Sequence, residues 1–310
     1  MAPSSVAGYS TCIMSPSKLL LNVAVVCLVA AGVGYTTLNY ETWLDRYAIA
    51  TFQPTSEVKN IEGRLNLTEA GRGLLYRSKT VVDDKLTFNT DCNTARGELE
   101  LGCFYRNRMY VLRIDNASLA PEMDTVTAHE LLHASWTRMS QSERTQLGRQ
   151  LEAAYARLND PELQQRMASY AKSEPGQQDN ELHSILGTEY AHLTPELEDH
   201  YARYFTNRGR IVAAHAAYQG VFTSRRQELE QELAGIRTLK GQLAAINQRL
   251  DAYRRSQQIE TYNSLVPTQN RLVDTINSRI AAYQRGVDEY NSLSRSLDSQ
   301  QITDTEAGVQ

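Results

Sequence analysis

The residues His129-Glu130-Leu131-Leu132-His133 carry the densest chemical content of the chain. On a helix, positions four apart share a face, so both imidazoles can reach one divalent ion. Glu130 adjoins the first histidine and can sit beside a water held by that ion. Zinc suits imidazole ligands and lowers the pKa of such a water to about 7. Glu130 would then take the water's proton and pass it to a leaving amine, as a general base followed by a general acid. Peptide hydrolysis also needs a second electrophile for the developing oxyanion. The segment His200-Tyr201-Ala202-Arg203-Tyr204 offers Tyr201, Tyr204 and His200 for that task.

The elements that must hold these groups follow from caps and periodicity. Asp124 can cap a helix running to about Met139, which carries the histidine pair. Ser140-Gln-Ser-Glu143 is a capping box for the next helix. Asp160-Pro161 and Thr194-Pro195 each place a cap residue before a proline at the first helical position. A further helix is expected from Asn180 to about Leu193. Upstream, residues 64–82 look helical with Thr68 as cap. Lys85-Leu-Thr-Phe-Asn89 and Arg108–Asp115 read as parts of a small antiparallel sheet of two to four strands. The expected class is therefore mostly α with a small antiparallel β-sheet.

Composition narrows the setting. The chain has 310 residues, 41% hydrophobic and 22% charged, with 32 basic against 36 acidic residues. That near balance leaves no basic footprint for nucleic acid. From Leu19 to Tyr40 no residue is charged, long enough for the roughly 30 Å hydrocarbon layer. Trp43 and Tyr47 follow it as interfacial anchors. A signal peptide core is shorter, roughly 7–15 residues, so an uncleaved signal-anchor is favoured, although Ala30-Ala31-Gly32 leaves a cleavage point open. Cys92 and Cys103 flank a turn-rich stretch and suit a disulfide worth about 3 kcal/mol, which persists outside the reducing cytosol. The expected location is thus the cell membrane, single-pass, with the body exoplasmic.

The C-terminal third differs in kind. Apolar residues step by threes and fours from Leu229 to Tyr253 and again from Val266 to Leu297, with a break near Ser256–Tyr262. This predicts an antiparallel coiled-coil hairpin, with a continuous intermolecular coil as the rival reading. It is a candidate for self-association or for a protein partner.

With these residues in view, the chain resembles the zincin metallopeptidases, in the thermolysin-like branch whose third ligand is a downstream glutamate (gluzincins). The resemblance covers about residues 64–215, and it extends more loosely to uncharacterised single-pass bacterial proteins. In that branch the ligand is the glutamate of an Asn-Glu pair opening a later helix, and Asn180-Glu181 matches it. The branch often carries an aspartate four residues further on, where this chain has Ile185, so Glu189 and His183 stay in play. The resemblance also implies an edge strand that binds substrate backbone by strand addition, with Tyr105–Ile114 as the candidate. The domains expected are a cytoplasmic start at 1–18, the anchor at 19–40 and a linker at 41–63. A zincin-like domain at 64–220, a hairpin at 221–300 and a disordered tail at 301–310 complete them. The function implied is a membrane-tethered zinc endopeptidase acting on proteins or peptides outside the cytoplasm. The alternative is a non-catalytic, membrane-anchored coiled-coil interaction protein with a structural metal site.

Overall fold

The computed structural model describes residues 40–92 and 101–298, together with 25 and 27–29. Most of the expected anchor at 19–40 and the tail at 301–310 lie outside these residues. No helix among the described residues is long and apolar enough to cross a membrane.

The stretch expected as a linker is instead two helices, α1 (Tyr40–Thr51) and α2 (Ser56–Leu65). Thr55 caps α2 through its side chain, and Val58, Ile61 and Leu65 make the buried stripe i, i+3, i+7. Short polar spacing on the exposed side hid that stripe in a sequence that reads as hydrophilic. Thr68 caps α3 (Glu69–Arg77), but Val81 belongs to a strand, β1 (Val81–Asp83), and not to the helix.

The sheet is mixed, not antiparallel. Its order is β1-β3-β2, with β3 (Arg108–Leu112) parallel to β1 and antiparallel to β2 (Gly102–Tyr105). Arg106 and Asn107 both take the left-handed conformation and make the tight two-residue turn between β2 and β3. Central β3 is buried on both faces. Met109 and Val111 join the main core, while Tyr110 and Leu112 join Phe88 and Cys92 of helix α4 (Lys85–Cys92). Residues 85–89, expected in the sheet, are therefore the helix that covers its second face. The Cys92–Cys103 disulfide is present, with a Cα–Cα distance of 6.1 Å, and ties α4 to β2.

Helix α5 (Glu122–Arg138) is the centre of the body. It starts two residues before Asp124, which sits in its first turn and receives both ends of the Arg64 guanidinium at 2.7 Å. The capping box at Ser140 and Glu143 opens α6 (Gln141–Leu158), and Asp160 caps α7 (Pro161–Ser173). Helix α8 (Gln178–Glu189) packs along α5, and α9 (Pro195–Tyr201) buries Leu197 and Tyr201 in the same core.

Helices α10 (Gly209–Arg255) and α11 (Ile259–Leu297) form the hairpin. They run antiparallel, with Glu232 bonded to Arg279 and Asn247 to Gln269 across the seam. No break falls at residue 221: α10 is one helix whose first turns, at Ile211 and Val212, are buried in the body. The other leg returns to it as well, for Leu297 packs with Ile114 and Leu119.

Candidate metal centre

A cleft of about 800 Å³ runs along α5. Glu122, Val126, His129, Glu130, His133 and Thr137 line it from that helix. Their spacing of three and four residues places them on one side, while Leu131, Leu132 and Ala128 fill the core on the other. One wall is strand β2 and the turn after it; the opposite wall comes from α7 and α8 through Tyr170, Glu174, Asn180, Glu181 and Glu189.

His129, Glu130 and His133 bring ligand atoms within 4.8 Å of one another. Glu181 approaches both imidazoles from α8. Its Oε1 lies 3.6 Å from His133 Nε2, and its Oε2 lies 3.8 Å from His129 Nε2. Donors each about 2.0–2.1 Å from a tetrahedral ion lie roughly 3.4 Å apart, so this spacing is close to that of a metal set. The donor chemistry, two imidazoles and a carboxylate, fits a divalent ion of the zinc class.

Neighbouring polar groups fix the His133 imidazole. His133 Nδ1 lies 3.0 Å from Asn180 Oδ1 and 3.3 Å from Ser184 Oγ. An Nδ1–H donated to Asn180 leaves the Nε2 lone pair facing Glu181. Asn180 thus supplies, for His133, an orienting contact of the kind expected from an acid at position 185. Ile185 is wholly buried in the core. Ser184 was not legible as a site residue, although it lies four positions after Asn180 on the same helical side.

Two glycines allow the close packing. A Cβ at Gly187 would come within 2.4 Å of Leu132 Cδ1, so glycine lets α8 approach α5 and deliver Glu181. A Cβ at Gly102 would meet Val126 Cγ1 at 2.4 Å and Glu130 Oε1 at 3.1 Å, so glycine lets β2 lie against the Glu130 carboxylate. Burial holds Glu130 above the usual carboxylate range; the charges of Glu181 and Glu174 add to this, and those of His133 and His129 oppose it. Burial alone would lower His129, but the nearby Glu181 carboxylate and the charge of Glu130 outweigh it and raise the imidazole.

The other sequence candidates stand elsewhere. Glu189 lines the cleft, but its carboxylate accepts from Arg166 at 2.7 Å and faces His215 Nε2 at 3.5 Å. His215 in turn holds Glu122 at 3.1 Å, a buried link among α5, α8 and α10 that its sequence context did not announce. His183 is fully buried, stacked on Tyr201, with its Nε2 2.9 Å from that of His200. Burial and the neighbouring His200 hold His183 far below the ordinary histidine range.

Tyr201 and Tyr204 do not reach the cleft. Tyr201 is wholly buried and donates its hydroxyl to the His183 carbonyl at 2.8 Å, and Tyr204 is buried in the same core. Burial raises the Tyr201 hydroxyl pKa further. The tyrosines that line the cleft among the described residues are Tyr105 and Tyr170. The edge strand beside α5 is likewise β2, since β3 is paired on both sides. The sequence matches no family model, and neither curated proteins nor solved structures give a match.

Proposed function

We propose that the protein is a zinc-dependent peptidase, tethered to a membrane by residues 19–40 and acting outside the cytoplasm on extended polypeptide. The observation that carries this is the Glu181 carboxylate within 4 Å of both His129 and His133, beside Glu130 and under an edge strand. His129, His133 and Glu181 would hold the ion, which when bound supplies Lewis acidity and acidifies water.

The chain's own groups do the rest. Among the described residues strand β2 pairs with β3 alone, so its other edge would offer backbone donors and acceptors to a substrate strand. This binds peptide with little dependence on side chains. The Glu130 carboxylate accepts a proton from the attacking water and returns it to the leaving nitrogen. Asn180 and Ser184 keep His133 oriented, and Tyr170 replaces Tyr201 and Tyr204 as candidate donor to the developing oxyanion. The disulfide supports an oxidising compartment. The hairpin, rooted in the body at both ends, serves as a spacer or self-association arm.

The test compares hydrolysis of an unfolded protein by the wild-type chain and by Glu130→Gln at equal zinc content. The reading predicts a loss of about a hundredfold to ten-thousandfold, the usual weight of general acid–base catalysis. Undiminished activity would remove the mechanism. No hydrolysis by either protein, with a melting temperature that falls on chelation, would favour the structural-metal alternative.

A further inference from the structure

Helix α1 has two unlike sides. Asp45 accepts from Arg138 at 2.9 and 3.0 Å and pairs with Arg77; Ala48 is buried; Glu41 also pairs with Arg77. Phe52, just past its end, packs edge-on against Tyr76. The helix is therefore fastened to α3 and to the last residue of α5. On its free side Tyr40, Trp43 and Tyr47 are 59%, 53% and 68% exposed. Their spacing of three and then four residues makes one stripe. Three large aromatics in a row on a fastened helix are not placed there by the core.

What covers them is indicated by the chain that arrives there. Residues 19–39 carry no charge, and α1 begins at the residue after this run. The described part of the run, Val25 and Cys27–Val29, is helical, and Val25, Leu28 and Val29 expose 49%, 73% and 60% of their surface. Tyrosine and tryptophan favour the headgroup level of a bilayer, where the ring is desolvated and the polar tip stays wet.

We propose that the Tyr40–Trp43–Tyr47 face of α1 is a bilayer-docking surface that lies in the headgroup region and sets the orientation of the body. Arg138 ends α5, and His133 lies five residues before it, about 7.5 Å along the axis. The histidine end of the cleft therefore lies at the end of α5 that is fastened to α1. If the peptidase reading holds, the substrates are chain segments that run close to the membrane.

The test uses the full chain in vesicles of phosphatidylcholine and phosphatidylglycerol, with bromine on the shallow part of the acyl chains as quencher. It needs no enzymatic activity. The chain has two tryptophans, and Trp136 is buried, so the difference between wild type and Trp43→Phe reports Trp43. Two reporters are then placed in the Trp43→Phe background, Tyr47→Trp on the stripe and Thr42→Trp off it. All three positions are exposed, so the fold is little disturbed. Docking predicts that Trp43 and Tyr47→Trp are quenched at least about twofold more than Thr42→Trp, although Thr42 is nearer the apolar run. Quenching that declines steadily from position 42 to 47 would show a helix standing clear of the lipid and overturn the proposal. So would water-like emission without quenching at 43 and 47, the result expected of a face left in water or covered by protein.

Discussion

The α5–α8 contact and the α10–α11 hairpin are both packed helix pairs, yet they are built for opposite ends. Along α5, the residues facing away from the cleft are nearly all fully buried, and the packing includes a glycine at 187, which a methyl group would disturb. Along the hairpin the buried residues thin to Ile236, Leu250 and Ile276 between its base and tip, and ion pairs such as Glu232–Arg279 lie half in water. The first pair holds the Glu181 carboxylate 3.6 and 3.8 Å from two imidazoles. The second needs only to stay extended. Precision costs burial on every side, whereas reach requires a narrow seam.

The contrast breaks most visibly at single core residues. Leu131→Ala should cost about 2–5 kcal/mol in chemical denaturation, because Leu131 is fully buried and a cavity there has no route to water. Ile276→Ala in the hairpin should fall at or below the bottom of that range, because the thin seam can close around the loss. Equal losses at both sites would erase the distinction. The disulfide comes next. Cys92→Ser with Cys103→Ser, or reductant alone, should lower stability by about 3 kcal/mol by the loop-entropy estimate and loosen β2 against α5. Unchanged protection of β2 amides in hydrogen exchange would refute the link.

A smaller effect sits in the buried link of His215 to Glu122 and Glu189. Burial alone would lower His215, but the hydrogen bond and charge of Glu122, with the charge of Glu189, outweigh it, while Arg166 opposes. The folded pKa is therefore above the unfolded one. Its stabilisation is fully present below the ordinary histidine pKa of about 6.5 and is lost as pH rises through the folded value. His215→Gln should cost about 1–3 kcal/mol at pH 6 and less at pH 9, read from urea midpoints. A cost that grows with pH would reverse the assignment. Smallest of all, Arg279→Ala in the hairpin should change the melting temperature only slightly, since the pair lies at the hairpin surface, partly in water.

Much of this arrangement was legible where local chemistry and periodicity agreed. The histidine pair with Glu130, the cysteine clip and the hairpin each follow from spacing within one element or one loop, whereas Asn180-Glu181, in the first turn of α8, was indicated by the resemblance to the thermolysin-like branch and not by spacing. The failures share a cause too. The helix at Lys85–Cys92 and the parallel pairing of β1 with β3 are decided by which surfaces meet, and a three-residue strand carries too short a pattern to announce its partner. Tyr201 and Tyr204 sit at helical spacing that serves a core as readily as a cleft, and here the core took them. Helix α2 was missed for a different reason: its apolar stripe is only Val58, Ile61 and Leu65, diluted by charged neighbours.

The central claim is that His129, His133 and Glu181 are one ligand set while Glu189 is not part of it. Metal analysis of the purified full chain beside Glu181→Ala and Glu189→Ala tests this most directly. The account predicts about one tightly held zinc per wild-type chain, a large loss in Glu181→Ala, and full occupancy in Glu189→Ala. A metal-free wild-type protein, or occupancy that falls with Glu189 and survives without Glu181, would contradict it.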